Sequence, residues 1–242
     1  NAQTMELVLP SSNLAADLAF FTERLGFLLE TIFPADDPRM AVLSGHGLRL
    51  RLDRAGPVAP AVLRLACLDP DRVAAGEREL QAPNGVRIEI VDAASPLETP
   101  RTQHAFVVRR PAEGDLWVSG RGGMLYRDLL PGRLGGAVIA SHIRIPTAGP
   151  VDDLVHFHDV GFQLIFCVRG WVRVVYEDQG PPFVLKAGDC VTQPPRIRHR
   201  VLEASENLQV IEVSAPAEHL TTIDHAMELP TASFKPERTF GG

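Results

Sequence analysis

The chain holds 242 residues, 45% hydrophobic and 22% charged, at a net charge of −6, enough to bury one large core or two small ones. It has no apolar run of the roughly 18 residues that would cross a bilayer, no basic-then-apolar leader and no concentration of basic residues. A membrane, a secretion route and a nucleic-acid partner are therefore not expected. Cys67, Cys167 and Cys190 are odd in number and form no C-x-x-C pair. That count fits a reducing, cytoplasmic setting better than a disulfide framework or a zinc knuckle.

In chain order, Glu6–Pro10 reads as a strand, Ser11-Ser12-Asn13 as turn and N-cap, and Leu14, Leu18, Phe21 and Leu25 as one face of a helix closed by Gly26. Strands follow at 40–43, 48–52 and 62–67, then a short helix at 69–80. Asn84-Gly85 makes a tight turn into a strand at 86–91. Residues 93–103 are polar, contain proline and lack periodicity, as a linker would. Beyond them come short β runs at 105–109, 138–145, 163–169, 172–176 and 210–214, separated by Gly and Pro. That spacing predicts an all-β sandwich or barrel over 104–217, with the tail 218–242 packed over it. The two halves do not resemble each other.

Leu-Pro-Ser-Ser-Asn-Leu (9–14), Leu-Ala-Phe-Phe-Thr-Glu-Arg-Leu-Gly-Phe (18–27) and Pro-Asn-Gly-Val-Arg-Ile-Glu-Ile (83–90) make residues 5–92 resemble one module of the vicinal oxygen chelate superfamily, which includes glyoxalase I and bleomycin-resistance proteins. The resemblance implies an α+β module of βαβββ order. Metal-dependent members take a ligand from the first strand and a Glu from the last, and Glu6 and Glu89 fall there. Two carboxylates alone make a poor transition-metal site, and a complete pocket in that superfamily normally uses two modules. Exposed or salt-bridged carboxylates are the expectation, and His46 in Ser-Gly-His-Gly reads as a turn residue.

The strongest chemical signal is Val155-His156-Phe157-His158, followed by Gln163 and Gly170. Histidines at alternate positions of a strand project to one face, so both imidazoles can reach one ion. A turn near 159–161 returns the chain and brings Gln163 alongside, and His199 opens a later β run. Here the chain resembles the cupin superfamily. Gly149, His156, His158, Gln163 and Gly170 occupy the places of its motif G-x5-H-x-H-x3-4-E-x6-G, with six residues rather than five after Gly149. Gly188, Pro194 and His199 fit the second motif, while Arg196 and Glu203 replace its second Gly and its Asn. The resemblance covers about residues 120–217 and implies a double-stranded β-helix, or jelly-roll barrel, with a divalent transition metal (Fe, Mn, Ni or Zn) on His156, His158, Gln163 and His199. An amide stands where the family has a carboxylate, so it cannot act as a base. It serves either as a neutral ligand or as a partner of bound water.

Other residues are weaker candidates. Cys167 shares a strand face with Gln163, yet a small buried thiol is its expected role, as it is for Cys190. His142 and Arg144 share a strand face, toward an anionic substrate or toward the surface. Tyr126, Arg198 and Glu212 have no direction that the sequence can fix. The expected function is a metal-dependent, dioxygenase-type enzyme acting on a small chelating substrate, aromatic or enolisable. The alternatives are a non-catalytic small-molecule-binding or sensory protein, and a metal-dependent isomerase or lyase. A single glyoxalase-like module leaves one side of its sheet open, so a homodimer is expected.

Overall fold

A computed structural model describes residues 2–24, 26–45, 47–56, 62–81, 87–93, 97–110, 117–235 and 237–240. His46 and the Asn84-Gly85 turn lie outside them. The chain divides into two units, one made of residues 1–33 with 38–96, the other of residues 34–37 with 97–242.

The first unit runs β1 (Ala2–Pro10), α1 (Leu14–Ala19), β2 (Leu28–Phe33), β3 (Met40–Gly45) and β4 (Leu48–Asp53). It continues with β5 (Val62–Cys67), α2 (Pro70–Ala74), β6 (Glu79–Gln81) and β7 (Arg87–Asp92). The strands form a mixed sheet in the order β2-β3-β4-β1-β5-β7-β6, with β1 parallel to β4 and β5 parallel to β7. Asn13 caps α1 by accepting from the Ala16 amide at 3.2 Å. Leu14, Leu18 and Phe21 pack on Leu7 and Leu9 of β1, Leu43 of β3 and Leu50 and Leu52 of β4. Strand, helix and three strands are complete at Asp53. The strand expected to end that pattern, β7, instead closes a shorter run, β5-α2-β6-β7, on the same course. The expected helix 69–80 stops at Ala74 because Ala75 turns left-handed at φ 51°, and its second half becomes β6.

The second unit holds β8 (Val118–Ser119), β9 (Leu125–Asp128), β10 (Ile139–Ile145), β11 (Gly149–Pro150), β12 (His156–His158) and β13 (Phe162–Arg169). After these come β14 (Trp171–Tyr176), β15 (Phe183–Lys186), β16 (Cys190–Thr192), β17 (His199–Ala204), β18 (Leu208–Ala215) and β19 (Thr221–Ile223). Two antiparallel sheets result. One runs β15-β14-β17-β12-β19 with β11 on β17, the other β16-β13-β18-β10-β9-β8. Alternation drives their packing: along β10 the odd positions Ile139, Ser141, Ile143 and Ile145 are buried and those between are not. Ile143, Ile145, Cys167 and Val210 from one sheet meet Val172, Val174, Tyr176 and Leu185 from the other in the core.

Two expectations shift here. Residues 105–109 are not in strand conformation, and Phe106 is 97% exposed. The barrel also runs past 217, because β19 pairs with β12 in the register His158↔Thr221. Farther on, the tail docks by charge: Asp178 accepts from Ser233 and meets Lys235 and Arg238.

Candidate metal centre

Strand parity puts His156 and His158 on one face of β12, and antiparallel pairing sets His199 of β17 directly opposite His156. All three are buried, and one nitrogen from each lies within 4.8 Å of the others. Their other nitrogens are engaged. His156 Nδ1 donates to the Leu154 carbonyl at 2.7 Å and His199 Nδ1 to the Ile197 carbonyl at 2.9 Å, each two residues back on its own chain. A carbonyl only accepts, so the proton sits on Nδ1 and the lone pair is left on Nε2. His158 Nδ1 meets the hydroxyl of Thr221 at 2.8 Å, across the β12–β19 ladder. Burial is the main cause that holds all three imidazoles neutral: His156 and His158 fall well below the ordinary histidine range, and His199 falls to about 4. Neutral imidazoles with anchored Nδ1 atoms are the form in which histidine binds a metal.

Around the cluster stand groups that the sequence reading did not find. Arg121, on a short turn before β9, pairs with buried Asp153 and places a guanidinium nitrogen 2.8 Å from His156 Nε2. Asp153 also accepts from the Val201 amide at 2.8 Å. Gln193 places its amide nitrogen 3.0 Å from His199 Nε2 and 3.3 Å from Gln163 Oε1, and its oxygen accepts from Tyr176 at 3.2 Å. Gln163, on β13 and buried, therefore reaches the histidines through a second amide. His219 lies edge-on to His158 with ring centroids 5.5 Å apart, its Nδ1 donating to the Pro216 carbonyl at 3.1 Å. Only Gln193 carried a sequence signal, as the residue just before the second motif's proline. Arg121, His219 and Thr221 lie in segments to which no motif points.

The cluster opens on a cavity of about 90 Å³ between the sheets, whose polar lining is Asp36, Arg121, Ser141, Gln193, Glu212 and His219 and whose remaining wall is mostly aliphatic, with Tyr176 among it. Tyr126 also faces it, its hydroxyl 3.6 Å from the Met124 sulfur. The remaining candidates point elsewhere. His142 bonds Gln209 and Arg127 at 2.9 Å each on the outer face of β10, and Arg144 bonds Asn207 there. Arg198 lies over the Phe157 ring, 4.8 Å from its centroid, and pairs with Asp224. Cys167 is a buried core thiol, raised by burial above the usual thiol range, while Cys190 is exposed.

In the first unit, Glu6 and Glu89 flank Arg64 as its cross-strand neighbours on β1 and β7. Glu6 pairs with Arg49 at 3.0 Å and Glu89 with Arg87 at 3.1 Å. They are ion-paired, and no group able to hold a metal occurs with them among the described residues.

Residues 143–214 match the family model of the cupin domain. Among solved structures, the chain is similar to the polyketide cyclase RemF from Streptomyces resistomycificus, at 17% identity and TM-score 0.42, over 51% of this chain and 89% of that one. An RmlC-like cupin from Shewanella frigidimarina is 23% identical at TM-score 0.36, over 45% of this chain and 89% of that one. A cupin 2 conserved barrel domain protein from Salinispora arenicola is 20% identical at TM-score 0.36, over 47% and 92%. No curated protein matches the sequence.

Proposed function

We propose that the cupin domain of this chain binds one divalent transition ion, Fe, Mn, Ni or Zn, through His156, His158 and His199, with the amide of Gln163 as the fourth group at the site. The carrying observation is the convergence of three neutral, buried imidazoles whose Nδ1 atoms are already anchored. When bound, such an ion acts as a Lewis acid toward ligand oxygens. The protein's part is to hold the imidazoles in one tautomer, to exclude water with a mostly aliphatic wall, and to present polar groups to the ligand. We read the reaction as dioxygenase-type chemistry on a small chelating substrate, enolisable or aromatic.

A second reading is small-molecule binding without turnover. At about 90 Å³ the cavity is below the roughly 150 Å³ that accepts benzene in an engineered core, which favours an enolisable ligand over an aromatic one in either reading. An isomerase or lyase using the same ion is the third reading.

The first unit is read as a vicinal-oxygen-chelate-like module over residues 5–92, joined by a linker at 93–103 to a barrel that opens at 104 and takes in β19 from the expected tail 218–242. The strand–helix–strand–strand–strand order with β1 parallel to β4 supports it. A homodimer and a cytoplasmic setting belong to the same proposal, and sedimentation as a clean monomer at micromolar concentration would contradict the former.

The central test is metal analysis of protein purified without chelators or nickel resin, together with oxygen uptake. One ion per chain is expected, lost when His158 and His199 are both changed to Ala. Unchanged metal content in that double variant would end the metal reading. A bound redox-inert ion without oxygen uptake would favour the binding or isomerase readings.

A further inference from the structure

The inner face of the β13–β18–β10 sheet carries a polar row amid aliphatic side chains. Cross-strand register sets Ser141 opposite Glu212, and Ser214 opposite Gln163, so all four share the face turned toward the histidines. Ser141 is 3% exposed, Ser214 0% and Gln163 1%, and Ser141 and Glu212 both line the cavity. Glu212 has no Lys or Arg within ion-pair distance among the described residues. Its neighbours are the Ser214 hydroxyl, donating at a long 3.3 Å, the Gln163 amide and His219. Burial raises its carboxyl above the ordinary glutamate range, while His219, Gln163 and Ser214 pull the other way.

A carboxylate has about four lone-pair positions, and a buried one left without donors is costly. Glu212 is only half-buried and lines the cavity, so beyond its contacts with Ser214 and Gln163 it keeps acceptor capacity toward that space. A ligand carrying an O–H satisfies it, whereas a ligand carboxylate there would be repelled. Ser141 beside it can donate to a carbonyl oxygen or accept from a hydroxyl.

We propose that Glu212, seconded by Ser141, is the specificity-determining residue of this site, and that it selects small uncharged ligands bearing a hydroxyl next to a carbonyl. This deepens the metal reading above and rests on it. The ligand's two oxygens supply the chelating pair and its O–H supplies a further donor to Glu212.

The test uses the full chain loaded with cobalt(II) and two neutral probes on the same four-carbon skeleton, acetoin and diacetyl, which differ by the hydroxyl. Binding is read by calorimetry and by the cobalt visible spectrum. Wild type should prefer acetoin by roughly tenfold or more, because a site built around a hydrogen-bonding group rejects the analogue that lacks it. Glu212→Leu should retain cobalt and lose the preference. Glu212→Gln, which keeps a neutral acceptor and guards against a variant that does not fold, should lower it several-fold. No preference in cobalt-loaded wild type, or an unchanged preference in either variant, overturns the proposal and leaves the metal reading standing. Failure of wild type to take up cobalt removes both.

Discussion

Arg121 donates to His156 at the nitrogen that would face an ion, 2.8 Å from Nε2. Guanidinium and metal would therefore compete for one lone pair, and Arg121, already paired with Asp153, would have to release His156 for an ion to bind.

That competition has a sign. Arg121→Gln removes a positive charge beside the site and frees Asp153, and both changes favour a dication. Affinity for zinc or cobalt should rise roughly tenfold, since a unit charge a few ångström away contributes on the order of 1 kcal/mol even when screened as in water. Competition titration against a chromophoric chelator measures it. Weaker binding in a folded variant would mean that Arg121 supports the ion.

Thr221 sets His158 from across the β12–β19 ladder. Thr221→Val keeps shape and burial but removes the oxygen, so His158 loses its Nδ1 partner. Metal affinity should fall about 10- to 100-fold, the range for loss of a group that orients a metal-binding histidine. An unchanged dissociation constant would show that packing alone orients the ring.

The buried imidazoles make the metal-free protein acid-sensitive. Unfolded histidines protonate near pH ~6.5, whereas His199 resists until about 4 and His156 and His158 are also well depressed. Below the unfolded value the unfolded chain binds more protons, so stability falls as pH drops from 6.5 toward 4. The slope is on the order of 1 kcal/mol per pH unit for each such group. Thermal melts of chelator-treated protein across that window should show it, with a shallower dependence for His158→Gln. A flat profile would mean that the histidines are solvated.

Glu6 and Glu89 serve the first unit's ion pairs. Glu6→Gln and Glu89→Gln should each cost less than about 1 kcal/mol, as partly exposed pairs do, with metal content and turnover unchanged. Loss of activity in either, with the barrel metal retained, would move the chemistry to the first unit.

What was legible in the sequence followed local periodicity. His156 and His158 sit two apart on a strand, and parity alone puts them on one face. The spacing to His199 located the third histidine. Arg121 and Thr221 were hidden because each meets its histidine through pairing between distant segments: Arg121 precedes His156 by 35 residues and Thr221 follows His158 by 63. Glu212 was legible as a residue without a direction, since its side depends on the register of β18 against β10 and β13. Local pattern also misled. The apolar run 105–108 reads like a strand, yet residues 105–109 form none, and the helix foreseen at 69–80 is cut at Ala75, where one left-handed residue hands the rest of the run to the sheet.

Two of the three imidazoles take their orientation from a carbonyl two residues away, and the third takes it from the last strand of the barrel. His156 and His199 are thus set as soon as their own segments are extended. His158 must wait for the chain to return at Thr221, more than sixty residues later. A nascent or C-terminally clipped chain would hold an ion by two oriented imidazoles and a swinging third. Tight metal binding would then depend on β19 having closed, so the affinity of a preparation for the ion, rather than its mere presence, would report on completion of the barrel.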